Sequence, residues 1–274
     1  MSASMLLEFY KREGPAIFSQ EPIEDISFFG RFARLIGRHI HSARQVVMPK
    51  YRPDALEAAL VRAFGDKTIG NSATRLLIPA FDRQRREVHI FKTSHHPRFE
   101  LDWKERAVDV ALATSAAPTY LPGHQLSNGI SLLDGGIWAN NPVGLAAVEA
   151  VSILEWPRES LNILSLGCSE TPAMISDKAG YAGVVLKMAD VFMLGQSRGA
   201  IGTAKLLMGP QEGRQRLFRY QHIASEGELA LDSVAQINTL QGIGVSLARE
   251  ALPTLKVVFM SDPREEFVPY HRAV

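Results

Sequence analysis

The sequence predicts an α/β fold, and three observations carry that prediction. Ile130, Leu132 and Leu133 read as a short buried strand, Gly135 and Gly136 follow as a turn, residues 142–154 read as an apolar helix and residues 161–166 as a second buried strand. That β-turn-α-β order is the unit from which parallel α/β layers are built. Residues 75–81 and 87–92 read as two further strands joined across a turn rich in arginine. Finally, 274 residues with 46% hydrophobic content suffice to bury the core of one large domain.

Residues 4–12 have helical spacing and are expected to stop at Gly14. Asp54-Ala55-Leu56-Glu57 has the spacing of a capping box. It opens a helix whose stripe is Leu56, Ala59, Leu60, Ala63 and Phe64, with Gly65 as the residue just past its end. Asp102-Trp103-Lys104-Glu105 reads as a second capped start leading into residues 111–117, where Ala113, Ser115, Ala116 and Ala117 permit close backbone approach. Residues 180–208 read as helix, with Val184, Val185, Met188, Val191, Phe192, Gly195 and Gly199 on roughly one face, and the chain from 226 to 255 reads as mostly helical. The segment 180–274 is therefore expected to be a mostly helical closing segment of a single domain, 1–274.

The run Leu132-Leu133-Asp134-Gly135-Gly136-Ile137-Trp138-Ala139-Asn140-Asn141-Pro142 is the most informative in the chain. It puts one carboxylate on a glycine turn at a strand end, where the paired glycines permit backbone angles closed to other residues. Asn141 and Pro142 read as helix cap and first helical residue. Ligands of α/β sheets gather beyond such strand ends, so Asp134 is a candidate site residue; the plain alternative is that it closes a turn.

Together with Ala113-Thr114-Ser115-Ala116-Ala117-Pro118-Thr119-Tyr120-Leu121-Pro122, this run closely resembles the patatin-like phospholipase family. Phe9-Tyr10, Ile17-Phe18, residues 75–80, Phe91-Lys92-Thr93-Ser94-His95-His96 and Ile163-Leu164-Ser165-Leu166-Gly167 resemble further blocks of that family, covering most of residues 1 to 220. The resemblance implies a three-layer α/β/α fold with a mostly parallel central sheet. It also implies lipid acyl hydrolysis by a Ser-Asp dyad, with Asp134 as the catalytic aspartate and Gly135 and Gly136 supporting it. Some bacterial members similar in these blocks are nucleotide-activated effectors.

Patatins carry a glycine-rich oxyanion loop and a G-x-S-x-G nucleophile elbow ahead of the block that begins here at Phe9, and neither precedes it. The expectation is a chain truncated at its N-terminus, with first strand and elbow missing, that retains Asp134 without its serine and is inactive as written. The alternative is a non-catalytic remnant that binds lipid or a partner. Gly195-Gln196-Ser197-Arg198-Gly199 does satisfy G-x-S-x-G, and Asp232 or Asp262 with His271 would complete a triad around Ser197. The helical pattern of residues 180–208 argues against that third reading, as it argues against an elbow.

The formal charge of +1 excludes the electrostatic footprint of a nucleic-acid binder, and no apolar run reaches the ~20 residues that span a bilayer. The expected partner is a lipid or ester substrate, with room for peripheral membrane contact and the oligomeric state left open. The lone Cys168 forbids an internal disulfide, and the N-terminus lacks a signal-peptide pattern, which makes the cytoplasm the default location. His89, His95 and His96 lack ligand spacing, so no metal or other cofactor is expected.

Overall fold

A computed structural model describes residues 2–18, 49–170, 181–210, 213–225, 228–230, 232–263 and 265–272. The chain is of mixed α/β type and divides into two units. One comprises Met1–Ser94, Phe99–Ile137 and His271–Val274, the other His95–Arg98 and Trp138–Tyr270.

The first unit holds helices α1 (Ala3–Phe18), α2 (Asp54–Phe64) and α3 (Ala107–Thr114) and strands β1 (Leu77–Asp82), β2 (Glu87–Lys92), β3 (His124–Gln125) and β4 (Ser131–Asp134). Its sheet has the order β2-β1-β4-β3, with every pairing antiparallel. This corrects the expectation of a mostly parallel sheet. The physical reason begins at the β1–β2 turn, which is too short to return a strand in parallel. The Asp82 carboxylate accepts the Gln84 and Arg85 N–H groups at 2.9 Å each, and Arg86 takes a φ of 61°. β4 then lies antiparallel to β1 on its other side, setting Asp134 opposite Ala80.

Ile69, Ala80, Phe91, Val110, Ala113, Leu126 and Leu132 form the core between this sheet and α3. A second cluster, Leu60, Val108 and Leu112, packs α2 against α3, with Phe9 of α1 beside it. α1 runs past Gly14 to Phe18 because buried Glu13 and Ile17 anchor it: the Glu13 carboxylate meets Arg62 at 2.5 Å and Arg12 at 2.8 Å. Tertiary contacts thereby override a propensity penalty of about 1 kcal/mol for glycine.

Neither expected capping box forms. α2 begins after Pro53 with the Asp54 carboxylate on Arg52, while Asp102 accepts the Lys92 N–H at 3.1 Å and heads only a short 3₁₀ turn, Asp102–Lys104. Gly65 does end α2, with φ 57° and its N–H on the Val61 carbonyl.

The second unit contains α5 (Val143–Val148), which continues as a π-helical turn over Glu149–Ile153, α6 (Tyr181–Met208), α7 (Ile237–Phe259) and strands β5 (Ile163–Glu170) and β6 (Leu217–Ile223). A short α4 (Gly136–Ala139) precedes α5. β5 pairs in parallel with β6, not with β4. The strand β6 interrupts a segment expected to be mostly helical, although Phe218, Tyr220 and His222 alternate there in the manner of a strand. Val143, Ala147, Leu161, Ala204, Met208 and Leu217 form the core of this unit. Among the described residues no helix is long and apolar enough to cross a membrane.

Candidate active site

Asp134 is the last residue of β4, and its turn is built from three sides. Its own N–H donates to the Ala116 carbonyl at 3.0 Å, so the small-residue segment after α3 lies directly against it. Ala113 and Ala116 are buried there. The Ser115 hydroxyl donates back to the Ala111 carbonyl at 2.7 Å and serves its own helix end. The Thr114 hydroxyl donates to the Pro79 carbonyl at 2.7 Å, and it is across this same carbonyl that the Gly135 backbone passes.

Gly135 is needed for space and not for an unusual backbone angle. Among the described glycines, positive φ values belong to Gly65, Gly129, Gly209 and Gly213, and to neither Gly135 nor Gly136. A Cβ on Gly135 would stand 2.2 Å from the Pro79 oxygen and 2.5 Å from its carbonyl carbon. The angles that the paired glycines permit are thus not used here, and what Gly135 supplies is close approach.

The Asp134 carboxylate accepts the Gly136 N–H at 2.6 Å. Burial raises its pKa above the ordinary aspartate value, and the Gly136 hydrogen bond only partly offsets that. A carboxylate held this way is a stronger base than one in water, which suits it to accept a proton from a hydroxyl.

Ser197 lies within α6, buried, and its hydroxyl accepts the Asn141 side-chain amide at 3.1 Å. Gly195 and Gly199 on either side of it face open space, so no backbone passes close to them as at a nucleophile elbow. His271 is held through its N–H on the Ser94 hydroxyl at 2.6 Å, and exposed Asp262 accepts Ser261. The structure therefore brings Asp134, Gly135 and Gly136 together at the end of β4, and it engages the Ser197 hydroxyl with Asn141.

Sequence reasoning missed Asn141, Ser165, Gln196 and Arg219 as polar partners. The Gln196 side-chain oxygen accepts the Asn140 N–H at 2.8 Å, and the Asn141 carbonyl oxygen accepts the Val143 N–H at 3.3 Å and the Ser165 hydroxyl at 3.5 Å. Arg219 donates to that hydroxyl at 2.9 Å. The sequence reads Asn141 only as a cap; the helix starts one residue later, with Pro142 in the cap position, and Asn141 accepts the Val143 N–H from just outside it. Among the histidines, His95 pairs with Glu149 at 2.9 Å and His89 meets the Phe91 ring edge-on.

Residues 32–147, which include the Asp134 turn but not α6, match the family model described as patatin-like phospholipase. A cGAMP-activated phospholipase of Pseudomonas aeruginosa is 38% identical over 120 residues, which are 43% of this chain and 35% of that protein. One from Vibrio cholerae is 31% identical over 195 residues, 67% of this chain and 52% of the relative. Patatin-like protein 4 of Arabidopsis thaliana is 29% identical over 163 residues, 57% and 37% respectively. The chain spans about a third to a half of the length of these relatives.

Proposed function

This chain belongs to the patatin-like phospholipase family, and from that premise we propose that Asp134 is the base of a Ser-Asp dyad for lipid acyl hydrolysis. The observation that carries the reading is the half-buried carboxylate beside Gly135 and Gly136, raised in basicity and held by one backbone N–H. In the proposed reaction Asp134 accepts the proton of a serine hydroxyl as its oxygen attacks the ester carbonyl carbon. It then delivers that proton to the departing alcohol, and water hydrolyses the acyl-serine. The substrate class is a phospholipid or neutral lipid ester.

Ser197 is not that serine in this reading, because its sequence motif is embedded in a helix and its hydroxyl is turned to Asn141. Gly195–Gly199 holds the one G-x-S-x-G of the 274 residues, so these residues supply the base and not the nucleophile, and alone they turn over no ester. The same fact favours a second reading, a lipid- or partner-binding chain without turnover.

The test is the dependence of stability on pH. With its folded-state pKa raised, Asp134 holds its proton to higher pH in the folded chain than in the unfolded one. Its ionised form therefore opposes folding at neutral pH, and that opposition fades as pH falls through the aspartate range. Asn at this position keeps an acceptor for Gly136 and carries no charge. Asp134→Asn is expected to raise Tm at pH 7 by roughly 1–3 °C, with the gain vanishing in acid. A lower Tm at pH 7 would show that the carboxylate merely closes the turn.

A further inference from the structure

We infer that Gln196 and Ser197 are positioning residues, a clamp on α6 that fixes Asn140 and Asn141, the segment following the Asp-Gly-Gly turn in the chain. Their role in a reaction rests on the acyl-hydrolase reading; the clamp itself stands on geometry.

Two neighbouring residues of the helix engage two neighbouring residues of the segment: Gln196 takes the Asn140 N–H at 2.8 Å and Ser197 takes the Asn141 amide at 3.1 Å. Successive helical residues project about 100° apart, so a one-residue slip of α6 would break both bonds. The register is also set by close helix approach. A Cβ on Gly144 of α5 would stand 3.1 Å from the Ala200 carbonyl oxygen, one turn beyond Gln196 on α6.

Asn141 is oriented from its other side as well. Its carbonyl oxygen faces two donors, Val143 N–H and the Ser165 hydroxyl, and Arg219 donates to Ser165 in turn. Turning the amide over would set its NH₂ against the Val143 N–H, which would lose its acceptor, whereas the Ser197 hydroxyl can donate or accept in either case. Asn141, Ser165 and Ser197 are each at least 94% buried, where an unmet polar group costs about 1–3 kcal/mol. The Val143 N–H therefore selects the orientation in which the Asn141 NH₂ group meets Ser197. In this role the G-x-S-x-G resemblance is incidental: the helix needs a carboxamide and a hydroxyl at successive positions, and its glycines are unconstrained.

The test is amide hydrogen exchange by NMR on the full 274-residue chain, read without substrate so that its outcome is independent of whether the chain hydrolyses anything. Gln196→Met should speed exchange of the Asn140 N–H about tenfold, and Gln196→Glu, which keeps an acceptor, should restore protection. Ser197→Ala should speed exchange at Val143 N–H, with Ser197→Thr restoring it. Amides of β5 should stay within about twofold of the parent throughout. Unchanged Asn140 exchange in Gln196→Met would overturn the clamp. So would equal acceleration across β5, which would mark a general packing role.

Discussion

Replacing Gly135 by alanine is expected to destabilise the fold by about 3 kcal/mol or more, at or beyond the upper end of overpacking effects. The new methyl would lie 2.2 Å from a backbone oxygen in β1, not from the end of a flexible side chain. Relief requires β1 and the β4 turn to part, and that same Pro79 carbonyl accepts the Thr114 hydroxyl. At about 2–4 °C per kcal/mol for a chain of this size, Tm should fall by roughly 6–12 °C. Gly199→Ala is the matched control. It sits in α6 with open space around it, so alanine should stabilise by up to about 1 kcal/mol through helix propensity. Thermal or urea unfolding of the pair measures both effects, and equal outcomes would contradict the close approach.

The second large effect is expected at Arg216. This residue is 6% exposed, and its guanidinium donates to the carbonyls of Arg158 at 2.5 Å, Met208 at 2.8 Å and Pro210 at 3.0 Å. It thereby ties the C-terminal end of α6 to the turn before β5, next to the core formed by Leu161, Met208 and Leu217. Leucine would keep much of the volume and strip three carbonyls of their donor, at a cost of about 3 kcal/mol or more. Lysine keeps the charge but not the planar fork, and is expected to recover only part of the loss. Urea unfolding of Arg216→Leu and Arg216→Lys reads the order directly; a Leu variant within about 0.5 kcal/mol of the parent would show that the fork adds little.

The parts of the site legible in the sequence are those made by residues near one another in the chain. Leu132 to Gly135 read correctly as strand and turn because apolar run, carboxylate and glycine are contiguous, while Gly136 already opens the short helix α4. The alanines at 113, 116 and 117 announced a close approach, and the Asp134 N–H on the Ala116 carbonyl realises it. α6 was legible because its apolar residues repeat at helical spacing, which outweighed the five letters of its elbow-like motif. Strand direction was not legible. Periodicity says which face of a strand is buried and nothing about which strand lies beside it, so β4 and β5 were joined into one layer when each pairs elsewhere. The Asn140–Gln196 and Asn141–Ser197 bonds were beyond reach for the same reason. They join residues 56 positions apart, and no local pattern marks a side-chain amide as a long-range partner when it already reads as a helix cap.

Labelling of the purified 274-residue chain with a fluorophosphonate serine probe, followed by peptide mapping and an Asp134→Ala control, decides whether Asp134 stands here without a nucleophile. The expected result is no covalent adduct on any serine, Ser197 included, in a chain whose folded state is verified by its unfolding transition. An adduct on Ser197, or on any other serine, that disappears in Asp134→Ala would contradict this and establish a complete dyad within these residues.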